Sequence, residues 1–469
     1  MYYDVHTGRV KVNLRHRPRF PQFSDHAMNS PQPTHAWFPA SRYGLFIHWG
    51  PYSAIGRGEQ VLFREHLDQR QYAADALRWN PSAYDPAQWA RVARDGGFRY
   101  AVLTTRHHDG YCLWDSRVTD YTSARGAPGR DFVREYVEAF RAAGLRVGLY
   151  YSLADWRIPA YWNRVADDPD GWAAFRGDVH AQVRELLTGY GTIDVFWFDG
   201  SWPHTAAEWD SAGLLTMMRQ LQPNILVNNR LDSPPVSAWA PPADAPIEDA
   251  GGSRELGDFG TPEHRIVADP HRLWESCQTS THRLWGYAVG EHWRTAPQLL
   301  DMLCESASRG GNLLLNVGPD GEGRIPDPFI ERSSAIGRWL GGCGEAIYDT
   351  QAGDVFEFVT RGFQTRRGNT LYLILRFFDG RPQMPLAPLA TAVKRATLLP
   401  DQLELGVQVI DGVTTLTGIP PRPSTDLYPV IRLECDGEPR PHPWATDRLW
   451  CGDPRRMLVW ARTGGTLSA

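Results

Sequence analysis

The sequence predicts an α/β protein: a (β/α)8-like barrel of the TIM type followed by a C-terminal antiparallel β-sandwich. Three observations predict it. Seven short apolar runs alternate with helix-like stretches over the first two-thirds of the chain, as repeated strand–helix units around a parallel sheet do. The runs are nearly continuous in apolar residues, which is how strands buried on both faces read. After Ile347 the texture changes to short β runs broken by Gly, Pro and Asp. At 469 residues the chain is longer than one core fills, so two domains are expected, at 1–347 and 348–469.

The strand candidates are YGLFIHW (43–49), YAVLTT (100–105), RVGLYYS (146–152), DVFWFDG (194–200), NILVNN (224–229), LWESCQT (273–279) and NLLLNVG (312–318). Between them lie helix signatures. Asp85-Pro86 reads as an N-cap followed by proline at the first helical position, and Gly96-Gly97 as the stop. In the stretch from Gly129 to Arg146, residues Phe132, Val133, Tyr136, Val137 and Phe140 share one helical face ahead of a stop at Gly144. In the last third, DVFEFVTRGFQTRRGNTLYLILRFF, VQVIDGVTTLTGI and YPVIRLECDG read as sandwich strands.

Composition narrows the function classes. Net charge is −5, which speaks against a nucleic-acid footprint. No run of about 18 apolar residues exists to span a membrane. The N-terminus shows no apolar signal region, so a cytoplasmic location is expected. Cys112, Cys277, Cys304, Cys343, Cys435 and Cys451 are scattered and read as buried free thiols, with neither zinc nor disulfide spacing.

In such barrels the site lies at the C-terminal ends of the strands. Polar residues gather at those ends: His48, His107, His108, Tyr150, Tyr151, Asp199, Arg230 and Glu275. Asp199 closes the run Val195–Phe198 and precedes Gly200. It reads either as a nucleophile for an anomeric carbon or as a turn aspartate. A glycosidase needs a second carboxyl, and Glu59, Glu263 and Glu275 are the candidates. Glu263 sits in a Gly- and Pro-rich loop of the kind that carries function over a barrel mouth. Glu275 lies inside a strand run, where a buried arginine partner is expected. The His107-His108 pair, with Trp114 nearby, can hold sugar hydroxyls. Two satisfied structural histidines are the plain alternative. Neighbours on a strand face opposite ways, so shared metal ligation needs a turn there; no metal or other cofactor is expected.

Several of these segments together resemble glycoside hydrolase family 29, the α-L-fucosidases. They are RYGLFIHWGPYS, YAVLTTRHHDGYCLWDS, GRDFVREYVEAFRAAGLRVGLYYSLADW, IDVFWFDG, LVNNR, GDFGTPE, WESCQTS with the following WGY, and RGGNLLLNVGPDGEGRIP, in the family's order over residues 36 to 345. The resemblance implies the same barrel and sandwich, and a retaining reaction without metal. It makes Asp199 the nucleophile and Glu263 the acid/base, with Glu275 as the alternative. It puts His48, His107, His108, Tyr150 and Arg230 on the fucose, Glu59 in the pocket, and Trp114 and Trp285 with the substrate. The family's usual Gly-Glu-Trp-Tyr reads Gly58-Glu59-Gln60-Val61 here, so Gln60 replaces a pocket tryptophan.

The function expected is removal of terminal α-L-fucose with retained configuration. Two rivals stand beside it: the same chemistry on another sugar or a sugar-decorated small molecule, which Gln60 motivates, and a binding protein that has lost catalysis. The partner expected is a small glycoside or oligosaccharide, not nucleic acid or membrane, with a homo-oligomer allowed.

Overall fold

The computed structural model describes residues 33–231, 256–269, 272–353, 355, 361–387, 389–410 and 413–441, and the backbone of a short strand pair, Tyr2–Tyr3 with Val10–Lys11. Cys451 and part of the DVFEFVTR run lie outside the described residues.

Eight parallel strands form the first layer: β1 (Tyr43–Ile47), β2 (Tyr100–Arg106), β3 (Arg146–Ser152), β4 (Val195–Asp199), β5 (Leu226–Val227), β6 (Phe259–Gly260), β7 (Leu273–Thr279) and β8 (Asn312–Val317). Hydrogen bonds run in the order β5-β4-β3-β2-β1-β8-β7-β6. A backbone bridge from Asn228 to Phe259 joins the two edges, so the sheet is nearly closed into a barrel. β1, β2, β4 and β8 are buried along all or nearly all of their length, as their unbroken apolar runs require.

Seven of the eight strands match the sequence runs. The eighth, β6, falls inside the segment read as loop. It is two residues long, Phe259 and Gly260, and carries no apolar run for periodicity to find.

The helices start and stop where the local chemistry says. Asp85 accepts from Gln88 N–H at 3.0 Å and opens Pro86–Asp95. Asp131 accepts from Arg134 N–H at 2.9 Å and opens Phe132–Ala142. These caps satisfy N–H groups that the first turn leaves unpaired. Phe132, Val133, Tyr136, Val137 and Phe140 are all buried against the barrel, and Gly144 has φ +79° just beyond the helix.

The C-terminal part is an antiparallel assembly of β9 (Gln351–Ala352), β10 (Gly362–Arg367), β11 (Thr370–Leu375), β12 (Gln383–Pro385), β13 (Val393–Leu399), β14 (Leu403–Ile410), β15 (Val413–Thr417) and β16 (Val430–Cys435), ordered β9-β10-β11-β16-β13-β14-β15-β12. β14 pairs with β13 up to Leu405 and with β15 from Gly406, so one strand passes between two faces.

Candidate active site

The C-terminal ends of the barrel strands enclose a cavity of about 130 Å3. That is well below the roughly 300–1,000 Å3 of drug-sized pockets and suits a single small ring. Its lining includes Phe46, His48, Gln60, His107, His108, Tyr150, Trp197, Asp199, Trp202, Arg230, Glu263 and Trp285.

Asp199 ends β4 with both oxygens engaged. Arg230 Nη1 donates to Oδ1 at 3.1 Å, and Tyr150 O–H, from β3, donates to Oδ2 at 2.9 Å. Arg230 also donates through Nη2 to Glu263 Oε2 at 2.8 Å and through Nε to Thr261 Oγ1 at 3.0 Å. Its guanidinium lies 4.5 Å over the Trp197 ring. Burial pulls the Arg230 pKa down, but Glu263 and Asp199 beside it more than reverse that, and the net shift is upward. One permanent cation therefore bridges the two carboxylates and fixes their spacing. Glu263 remains partly exposed, and its Oε1 lies 3.8 Å from His264 Nε2.

The histidines reach the cavity by different routes. His48 follows β1. β2 ends at Arg106, and the chain turns at once: Gly110 N–H donates to His107 O at 3.0 Å, and Gly110 has φ +75°. That turn is what lets two adjacent residues serve one site, with ring centroids 4.0 Å apart. It holds because Gly110 packs on Asp155, where a Cβ would meet Oδ2 at 2.2 Å.

Hydrogen bonding fixes two tautomers. Asn316 Nδ2 donates to Trp285 O at 2.7 Å, which turns its Oδ1 to His48 Nδ1 at 2.6 Å. Nδ1 therefore carries the proton and Nε2 is an acceptor. Ser152 Oγ donates to Ala154 O at 3.1 Å and so accepts from His108 Nδ1 at 2.7 Å. His108 Nε2 is then also an acceptor, 3.8 Å from Asp199 Oδ2. Burial first, then the charges of neighbours, pushes both pKa values down to about 3. His107 is lowered as well, chiefly by burial; its ring lies 9° from the plane of Tyr150, and its Nδ1 is buried with no hydrogen-bond partner among the described residues. Among the described residues no set of three His, Cys, Asp or Glu is placed to hold a metal.

Three sequence candidates lie elsewhere. Glu275 is fully buried inside the barrel, where Tyr100 O–H donates to Oε2 at 2.5 Å and Trp197 Nε1 to Oε1 at 2.9 Å. The expected arginine partner is replaced by these two aromatics. Desolvation raises its pKa to about 7, against the two hydrogen bonds. Tyr100 reaches it because Gly44 leaves room for the ring; a Cβ there would meet Tyr100 Cζ at 2.3 Å. Glu59 is buried beneath the wall and does not line the cavity. Its Oε2 accepts from the N–H groups of Trp285 and Gly286 at 3.1 and 2.8 Å, so it holds the loop that presents Trp285. Trp114 lies outside the lining, its Nε1 donating to Glu185 Oε2 at 3.0 Å against the surrounding helix. It follows the turn and is carried away from the barrel axis.

Gln60 does line the cavity, and its Oε1 accepts from Arg64 Nε at 2.8 Å. Residues that sequence reasoning missed are Trp197, Trp202 and Asn316. Trp197 lies inside the apolar run Val195–Phe198, which hides it as strand core. Asn316 lies in the run NLLLNV, where a polar residue among apolar ones was the available signal.

Comparison with known proteins follows this geometry. The family profile described as Alpha-L-fucosidase matches residues 16–345. The tissue alpha-L-fucosidase of Bos taurus is 29% identical over 401 residues, covering 80% of this chain and 82% of that one. The alpha-L-fucosidase of Branchiostoma floridae is 30% identical, over 71% and 76%. Among solved structures, alpha-L-fucosidase isoenzyme 1 from Paenibacillus thiaminolyticus superposes with a TM-score of 0.75 at 35% identity, covering 86% of this chain and 99% of that one. A Bacteroides thetaiotaomicron alpha-L-fucosidase trapped as a covalent intermediate, in complex with 2-fluoro-fucosyl fluoride, superposes with a TM-score of 0.77 at 27% identity, over 87% and 97%.

Proposed function

From the premise that the chain belongs to the α-L-fucosidase family and is a glycoside hydrolase, we propose that it removes terminal α-L-fucose by double displacement. Asp199 is the nucleophile and Glu263 the acid/base. The observation that carries this reading is the sharing of one guanidinium by the two carboxylates. Both carboxylates lie within hydrogen-bond reach of one cation, which gathers them on the same site as a glycosidase carboxylate pair requires.

In the first step an Asp199 oxygen bonds to the anomeric carbon as the bond to the leaving oxygen breaks. Glu263 gives that oxygen its proton. Oε2 is taken by Arg230, so the proton rides on Oε1. In the second step Glu263 takes a proton from water, the hydroxide adds to the anomeric carbon, and Asp199 is released. The two replacements give retained configuration. His48 Nε2 and His108 Nε2 accept from sugar hydroxyls, and Tyr150 and Arg230 keep Asp199 aimed. The trapped intermediate of the Bacteroides relative supports a covalent route.

The test is hydrolysis of an aryl α-L-fucoside beside other aryl glycosides. Asp199→Ala is expected to lose activity by about 10^3-fold or more. Glu263→Ala should lose turnover and regain it with azide, giving a glycosyl azide of retained configuration. Azide rescue absent from Glu263→Ala would reject its role. A second reading keeps the chemistry and changes the glycone. It is favoured by Gln60, an amide where the family usually has an indole, and it predicts another glycoside cleaved faster than the fucoside.

A further inference from the structure

Resting on the fucoside reading above, we propose that an aromatic platform at the cavity mouth is an aglycone subsite for a flat, apolar, aryl-type leaving group. The cavity takes one small ring, so the aglycone must lie across its mouth. Phe63, Trp162 and Trp202 are 49%, 43% and 47% exposed, and all three belong to this rim. Trp202 lines the cavity, with its ring 5.3 Å from His108. His108 lies 5.0 Å from Trp156, and Trp156 lies 5.2 Å from Phe63. Phe63 packs 5.8 Å from Trp162 with the planes 10° apart. It also sits in the short helix Val61–Arg64, which Gln60 of the cavity wall precedes. The rings thus run outward from a histidine of the glycone site to solvent.

Exposed large aromatics gathered in one place mark a binding surface, because their hydration is unfavourable. The polar groups nearby argue for the class of occupant. Trp162 Nε1 donates to Trp156 O at 3.0 Å, and Gln69 Nε2 donates to the same carbonyl at 3.3 Å. Arg57 is held by Glu65 at 2.9 Å, and Arg64 by Gln60 at 2.8 Å. Tyr161 O–H donates to the Trp202 carbonyl. The Trp162 indole, the Tyr161 hydroxyl and the Nε of each arginine are committed within the protein, and the exposed ring faces are the chief recognition element. A hydroxylated sugar needs hydrogen-bond partners beside its stacking face; an aryl group does not.

The experiment compares kcat/KM for an aryl α-L-fucoside, a fucosyl disaccharide and α-L-fucosyl fluoride in wild type and in the Phe63→Ala/Trp162→Ala double variant. Fluoride brings no aglycone ring. The expected result is a roughly tenfold loss on the aryl fucoside, carried by KM, with the other two substrates changed by less than about twofold. Trp162→Phe, which keeps a ring, should retain most of the aryl preference. No loss on the aryl substrate, or the same loss on all three, overturns the platform. A disaccharide loss as large as the aryl loss overturns the aryl assignment. A wild type inert to both fucosyl fluoride and the aryl fucoside sinks the fucoside reading, and the platform falls with it.

Discussion

Tyr150 shows how much one hydroxyl does at the residue scale. Its O–H donates to Asp199 Oδ2 at 2.9 Å, beside the Arg230 bond to Oδ1. A hydrogen bond to a charged group is worth about 1.5–3 kcal/mol, so Tyr150→Phe should lower kcat/KM by roughly 10- to 150-fold while leaving the melting temperature nearly unchanged. The histidines behave differently. With pKa values pushed down to about 3, His48 and His108 stay neutral through mild acid. Imidazole resonances of the free enzyme should therefore show no titration of either ring between pH 8 and about 5. The acid limb of kcat/KM then reports carboxyl groups; a limb abolished by His48→Gln would refute this. His48, His107, His108, Tyr150, Asp199 and Arg230 were legible in the sequence because strand ends are where a barrel gathers its site. Glu59 and Trp114 lie outside the cavity lining, since beyond a strand end the chain has already turned.

At the scale of the element, the turn after β2 carries the strongest constraint. Gly110 has positive φ and Asp155 directly behind it, and Asp155 is held by Arg106 at 2.9 Å and by Arg157 at 2.7 Å. Gly110→Ala must displace a buried ion network and strain the backbone, costing about 1–3 kcal/mol. It should lower both the melting temperature and kcat/KM, because the same turn carries His107 and His108. Strand β7 carries a pH-dependent contribution through Glu275. Its folded pKa, about 7, lies above the ordinary 4.5, so the folded state keeps a proton that the unfolded chain releases. That contribution is fully present below about pH 4.5 and is lost as pH rises through 7. Glu275→Gln removes the dependence, so its melting temperature relative to wild type should rise with pH across that window. Turnover should stay within about tenfold of wild type, since Glu275 is not part of the cavity lining. The strands themselves were readable because burial on both faces demands continuous apolar runs. β6 was not, because two residues paired through a neighbour's edge leave no pattern in the chain.

Across the whole molecule, one face of the C-terminal sheet joins the barrel's largest core, while its other face builds a core of its own around Leu371, Leu373, Leu398 and Leu433. Tyr372, Ile374, Leu399 and Val430 of the sheet belong to the same apolar cluster as the helices and the outward-facing strand residues of the barrel. Polar ties follow the same seam: Trp339 Nε1 donates to Tyr428 O at 2.6 Å, Arg376 pairs with Asp301 at 2.8 Å, and Arg432 pairs with Glu345 at 3.0 Å. The change of texture after Ile347 reveals where the architecture switches, but sequence alone does not reveal this continuity, because it is made of contacts between distant segments. The consequence is a single cooperative melt, although a chain of this length often unfolds in steps. Gly342 gives the cleanest probe. It lies in the helix Asp327–Cys343, where alanine is favoured by about 1 kcal/mol on propensity alone. A Cβ there would meet Pro400 Cβ of the sheet at 2.5 Å, and a proline ring cannot give way by rotating. Packing and propensity thus predict opposite signs. Overpacking at a rigid contact costs about 1–3 kcal/mol, so Gly342→Ala should lower the melting temperature, and calorimetry should show the whole endotherm move as one. A rise in melting temperature would mean the interface yields; a split endotherm would mean that the sheet's own core unfolds apart from the shared one.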